Sequence, residues 1–155
     1  MHMVAERDGF TQAVASLAVN GETLVKLESF ALKLFGTTDD FTALHGVTGL
    51  AAVSTLIPWV DDQELMARYA SQALVAAFLS IGAPKLWSAD RLDEFIATTR
   101  VQLDEIRLRA ANCDDEHEAK LVYTALRAYE QSHEPLYLAV AARASIRDDT
   151  EQSRR

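Results

Sequence analysis

The hydrophobic and polar positions of this chain follow helical spacing almost throughout, but one segment lacks a polar face. Residues 41–57 read FTALHGVTGLAAVSTLI, and apolar side chains fall on every side of a helix drawn through them. Such a helix is typical of a protein interior, so the segment is predicted to be a buried central helix. The preceding acidic pair, Asp39 and Asp40, predicts its N-cap. Trp59, just past its end, is predicted to anchor the turn by packing.

Helical spacing and terminal signals predict about six further helices around this one. Their predicted bounds are 10–19, 22–35, 61 or 62 to 81, 88 or 90 to about 110, 116–131 and 135–146. The 61–81 helix is apolar in its later half, so it is predicted to pack antiparallel on the central helix and form the core with it. The pattern therefore predicts an all-α protein, a single helical bundle of about seven helices around a buried central helix. One domain is predicted over residues 1–155, with flexible ends at 1–8 and 147–155.

Composition and charge narrow the functional classes. Hydrophobic residues make up 49% of the chain, with only three prolines, which favours helices over sheet. The net charge of −8 argues against nucleic acid and against anionic membrane surfaces as partners. Pro58 and the acidic residues that follow it interrupt the apolar segments, so no membrane span is predicted. Cys113 is the single cysteine and no secretory signal is evident, so a cytoplasmic location is predicted.

His45 is the one ionisable side chain within the central helix. Its helical neighbours are Gly49, Ala52 and Leu56, so its imidazole is predicted to lie in apolar, close-packed surroundings. Gly46 and Gly49 each cost about 1 kcal/mol relative to alanine in a helix, which predicts that another group approaches closely there. A lone histidine on an apolar helix is more often a hydrogen-bonded core residue than a ligand. Both interpretations stay open on this evidence.

A second candidate pair lies on the 116–131 helix. His117 and Lys120 are three residues apart, so they share one edge of the helix and can converge on one ion. Glu116 precedes Lys120 by four residues, however, and a solvated ion pair between them explains the lysine without any ligand. The ion pair is the favoured interpretation of these residues taken alone.

Three strings in the chain resemble a known family. They are FTALHGVTGLAAVSTLIPWV, RYASQALVAAF and DEHEAKLVYTALRAYEQSHEPLYLAVAAR, and they are similar to the C-terminal half of the questin oxidase-like family over roughly residues 30–144. The resemblance implies a mostly helical fold and oxidative cleavage or tailoring of an aromatic polyketide such as an anthraquinone. Some members resemble non-haem iron enzymes that use histidines and a carboxylated lysine. On that basis His45, in an HxxTG string, and His117 with Lys120, in an HxxKL string, would bind Fe, with Lys120 carboxylated.

The chain departs from this family in one respect that bears on function. Family members are much longer, and their N-terminal halves contribute further histidines with no counterpart here. The resemblance therefore implies an incomplete site, to be completed by a homodimer or by a second chain that supplies the missing half. The expected function is a questin oxidase-like oxygenase, or one subunit of it, acting on a small aromatic substrate; its catalytic residues and any need for NADPH are unknown.

The alternative is a non-catalytic helical binding or assembly subunit that kept the fold without the metal site. The surroundings of Lys120 separate the two hypotheses. An oxygenase requires Lys120 buried beside His45, whereas a binding subunit leaves it solvated beside Glu116.

Overall fold

A computed structural model of the chain describes residue 12 and residues 18–99 and 101–152, with side chains as far as Ile146. Over residues 18–99 and 101–152 the chain forms seven α-helices and no strand. The helices are α1 (Thr23–Thr38), α2 (Phe41–Leu56), α3 (Gln63–Ser80), α4 (Ala89–Thr98), α5 (Leu103–Ala111), α6 (Glu116–Ser132) and α7 (Pro135–Gln152). A short 3₁₀ turn, Ile57–Trp59, follows α2. The predicted all-α class is confirmed.

The helix bounds agree with most of the predicted ones. Predicted caps are confirmed: Asp40 accepts hydrogen bonds from backbone N–H groups at the start of α2, Asp62 does so for α3, and Ser88 does so for α4. The predicted helix over residues 10–19 lies almost entirely outside the described residues, as do the predicted flexible end 1–8 and the last three residues of the predicted flexible end 147–155. At the other end, α7 continues to Gln152, past the predicted end at 146.

The helix predicted from residue 88 or 90 to about 110 is two helices, α4 and α5. The hydroxyl of Thr98 donates to the carbonyl oxygen of Glu94 at 2.8 Å, and that of Thr99 donates to Phe95 at 2.7 Å. Two successive β-branched residues have a lower helix propensity than straight-chain residues, which favours ending the helix here. The amphipathic pattern resumes after the break, which is why the sequence suggests one long helix.

The described chain divides into two compact units, one ending at Leu86 and the other beginning at Trp87. The prediction of a single domain stays a prediction, and each unit is described by itself. In the first unit α2 packs against both α1 and α3, and these two also touch each other. The pairing of α2 with α1 is the more extensive one, whereas the sequence suggested α3 as the main partner.

The helix α2 buries one face and exposes the other. Its buried residues are Ala43, Leu44, Val47 and Leu50. The prediction that α2 is buried all round is wrong, because α1 and α3, the described helices that pack on it within this unit, cover only one side of its cylinder. Trp59 is 87% exposed, so the prediction that it is a packing anchor is wrong as well.

The two glycines of α2 differ in their surroundings. A Cβ atom added at Gly46 would lie 3.3 Å from Leu74 Cδ1 on α3 and 3.7 Å from Ala31 Cβ on α1. Gly46 therefore marks the point where α1, α2 and α3 meet, and the predicted close approach is confirmed there. A Cβ atom at Gly49 would meet nothing within 4 Å, so the same prediction is wrong for Gly49.

The second unit has its most extensive contact between α6 and α7. The short helix α5 packs on both of them, and α4 packs on α7. Side chains at the centre of this unit are fully buried, including Ile106, Leu121, Val122, Ala125 and Val140. Their burial holds α6 in place and so fixes the edge that carries the second candidate pair.

Candidate functional site

His45 lies on the exposed face of α2, not in the apolar interior that the sequence predicts. Its Nδ1 atom is 2.9 Å from the backbone carbonyl oxygen of Phe41, one turn earlier in the helix. The rings of Phe41 and His45 also pack edge to face, with their centroids 4.5 Å apart. These contacts fix the ring along the surface of α2. The prediction that His45 is buried fails because α1 and α3, the described helices that pack on α2 in this unit, leave that side exposed.

His117 lies in the first turn of α6, where Asp115 caps the helix. The backbone N–H of His117 donates to Asp115 Oδ1 at 2.8 Å, and the ring atom Nδ1 is 3.2 Å from the same oxygen. The hydrogen bond from this N–H, together with that from the ring, holds the pKa of Asp115 below its ordinary value. One carboxylate oxygen of Asp115 thus serves both the helix terminus and the imidazole.

Lys120 points to Glu116 across one turn of α6. Its Nζ atom is 3.1 Å from Glu116 Oε2, and both side chains are largely exposed. The hydrogen bond from Lys120 and its positive charge hold the pKa of Glu116 below its ordinary value. This is the solvated ion pair that the sequence favours, and such pairs contribute little to stability.

The predicted iron ligands divide between the two units. His45 belongs to the first unit, and His117 with Lys120 to the second. Among the residues that the structure describes, no three His, Cys, Asp or Glu side chains lie close enough together to hold a metal ion. The iron set that the resemblance implies has two imidazoles and a carboxylate-like ligand around one point, as in non-haem iron oxygenases. Neither unit by itself fits that requirement, and the iron set stays a prediction.

The exposed side of α2 is a site that the sequence analysis placed in the core. Its members recur every three or four residues and so form one stripe along the helix and the turn that follows. We call this stripe the open face of α2; it consists of Phe41, His45, Gly49, Ala52, Leu56 and Trp59. Phe41 is 60% exposed, Leu56 54% and Trp59 87%. Large apolar residues exposed together on one helix face mark interaction sites more often than scattered ones do.

Acidic residues stand at both ends of the open face. Asp39 and Asp40 immediately precede α2, and Asp61 and Asp62 follow the 3₁₀ turn. From residue 41 to residue 60 the sequence contains no Asp, Glu, Lys or Arg. Three of these four aspartates are exposed, and Asp40 is half-buried in its capping position. The site is therefore an apolar stripe with one histidine and no Asp, Glu, Lys or Arg, bounded by aspartates at each end.

The length of this segment also meets a membrane criterion. Of the described helices, the segment Phe41–Trp59 is long and apolar enough to cross a bilayer, a test that the core helices of soluble proteins also pass. Its inner side is tied to a charged helix, because the Ser54 hydroxyl donates to Glu28 Oε1 on α1 at 2.6 Å. Length and composition alone do not assign α2 to a membrane.

Sequence reasoning missed the open face for a specific reason. On an ordinary surface helix, polar residues mark the exposed side, but α2 is apolar on both sides, so its pattern gives no contrast. One signal of an exposed side was available in the sequence, namely that two small residues, Gly49 and Ala52, lie within the stripe.

No family model, curated protein or solved structure matches this chain. The resemblance to the questin oxidase-like family stays a prediction.

Proposed function

We propose that this chain is a non-catalytic helical binding or assembly subunit that binds another protein through the open face of α2. The observation that carries the proposal is the exposure of Phe41, Leu56 and Trp59 on one helix face that contains no Asp, Glu, Lys or Arg. Covering such a face removes apolar area from water, which favours association by roughly 25 cal/mol for each Å². The proposed location is the cytoplasm.

The surroundings of Lys120 support the same proposal. A lysine that binds iron must be neutral or carboxylated, because an ammonium group is repelled by a divalent cation. Lys120 is instead exposed and paired with Glu116 at 3.1 Å. This is the arrangement expected of a binding subunit rather than of an oxygenase.

The oxygenase stays the competing prediction. It requires His45, His117 and Lys120 to share one iron ion, and a homodimer or a second chain to complete the site around a small aromatic substrate. The exposure of His45 and the pairing of Lys120 do not favour it.

Iron analysis separates the two functions. The protein is purified without chelator, with and without bicarbonate, as the parent and as His45→Ala, Lys120→Ala and Lys26→Ala. Lys26 is the matched control because it forms the same kind of exposed pair, with Glu22 at 2.8 Å across one turn of helix. A binding subunit gives the same low iron content in all four proteins. Stoichiometric iron in the parent and in Lys26→Ala, lost in the other two variants, would contradict the proposal.

A further inference from the structure

We infer that the open face of α2 docks an amphipathic helix of a partner protein, one with an apolar stripe and with lysine or arginine residues at both ends. The inference rests on the proposed function and specifies the chemistry of the partner. It is carried by the shape of the face and by the charges that bound it.

The shape of the open face suits a helix. The segment Phe41–Trp59 is about 27 Å long at a rise of about 1.5 Å per residue, which matches a partner helix of about five turns. The bulky residues Phe41, Leu56 and Trp59 stand towards its two ends, and Gly49 and Ala52 lie between them. In the part of the chain that the structure describes, no atom outside the neighbouring turns of α2 lies within 4 Å of the place where a Cβ atom of Gly49 would be. Small residues at such a point let a second helix approach closely.

The charges at the ends of the open face indicate which kind of partner helix is complementary to it. The aspartates that precede α2 and those that follow its 3₁₀ turn place negative charge at both ends of the open face, and the stripe between them contains no Asp, Glu, Lys or Arg. A partner helix with basic residues flanking an apolar stripe is complementary both to the apolar surface of the open face and to the negative charge at its ends. Complementary charges at the rim of an interface raise the association rate and fix the register.

The same charges disfavour other occupants. Two copies of α2 set aspartates against aspartates whether they pair parallel or antiparallel, and each copy brings a net charge of −8. An anionic membrane surface is repelled in the same way. A basic amphipathic helix is thus the occupant that the face favours.

The test uses the 155-residue chain carrying Trp87→Phe, so that Trp59 is its remaining tryptophan. The probes are two synthetic peptides without tryptophan, each with a leucine stripe at helical spacing. One has lysines at both ends, and the other has glutamates at the same positions. Binding is followed by the emission of Trp59, which shifts to the blue when the indole leaves water.

Two variants locate the binding surface. Leu56→Ser removes an apolar side chain from the open face. Val25→Ser is the matched control, since Val25 is 65% exposed on α1 and lies outside that face. Both changes are made at exposed positions, so both proteins should fold.

The inference predicts that the lysine peptide shifts the emission and binds at least about tenfold more tightly than the glutamate peptide at low salt, with the ratio shrinking at high salt. Leu56→Ser should weaken its binding at least about tenfold, and Val25→Ser should leave it unchanged. Equal binding of the two peptides, binding of neither, or equal behaviour of the two variants would overturn the inference.

Two further outcomes would assign the face to another occupant and also overturn the inference. One is a dimer of the parent that Leu56→Ser dissociates in sedimentation. The other is binding to phosphatidylcholine vesicles that Leu56→Ser abolishes. A dimer of this kind would contradict the inferred partner but not the proposed role as a binding or assembly subunit. Iron bound through His45 and Lys120 would contradict that role itself, whether or not the peptides bind. The two failures are therefore distinguishable.

Discussion

Gly46 lies against Leu74 so closely that a Cβ atom on the glycine would stand 3.3 Å from Leu74 Cδ1. Gly49, three residues further along the same helix, would meet nothing within 4 Å. The two glycines of the same helix therefore lie in different environments, Gly46 in a packed contact and Gly49 at an open surface. Gly46 belongs to the contact between α2 and its neighbours, and Gly49 belongs to the open face.

This difference predicts opposite effects on stability. Gly49→Ala should raise the free energy of unfolding by about 0.5 to 1 kcal/mol, because alanine is the better helix former and its methyl group has room. Gly46→Leu should lower it by about 1 to 3 kcal/mol, because the larger side chain overpacks the contact with Leu74 and Ala31. Urea denaturation of both variants measures the difference. A loss of stability in Gly49→Ala would contradict the exposure of that side of α2.

The hydrogen bond between α2 and α1 gives a second prediction. The Ser54 hydroxyl donates to Glu28 on α1 at 2.6 Å, whereas the Thr55 hydroxyl donates to the carbonyl oxygen of Ala51 in its own helix. Ser54→Ala should be less stable than Thr55→Ala by about 0.5 to 1.5 kcal/mol, because only the first change removes a bond between helices. Thermal unfolding compares the two variants. Equal stabilities would mean that α1 and α2 are not joined at this point.

Asp115 predicts a pH dependence. Its pKa is lowered in the folded protein, chiefly by the hydrogen bond from the backbone N–H of His117. A lowered pKa stabilises the fold above the ordinary pKa of about 3.9, and this contribution is lost as the pH falls through the folded value. At neutral pH, Asp115→Ala should lower the free energy of unfolding by about 0.5 to 2 kcal/mol. Asp115→Asn keeps an acceptor for the cap.

Unfolding curves of the parent, Asp115→Ala and Asp115→Asn at neutral and at acid pH check the sign of this pH dependence. The difference between the parent and Asp115→Asn should shrink as the pH falls below about 4, because only the parent loses a charge there. A difference that stays constant with pH would show that the Asp115 charge does not stabilise the cap.

Local features of the fold follow from the sequence because they depend on neighbouring residues. Asp40, Asp62 and Ser88 are caps that can be recognised within one turn of helix. The ion pair between Lys120 and Glu116 is predictable for the same reason.

Features that depend on which helices pack together could not be predicted. The apolar pattern of α2 fits a helix buried on all sides, and it also fits one with an apolar face left open for a partner. The exposure of His45 and Trp59 depends on the number of helices that surround α2 in its unit. The hydrophobic pattern of one helix does not show how many other helices pack around it. The break after Thr99 was missed because the apolar spacing continues on both sides of it.

The central claim is that the open face of α2 binds another protein, and the mass of the native assembly tests it most directly. The parent, Leu56→Ser and Val25→Ser are each produced in the native host and analysed intact by native mass spectrometry. The account predicts that the parent and Val25→Ser carry a second protein and that Leu56→Ser is released as a single chain. The same mass for all three proteins, whether a bare chain or an unchanged assembly, would contradict it.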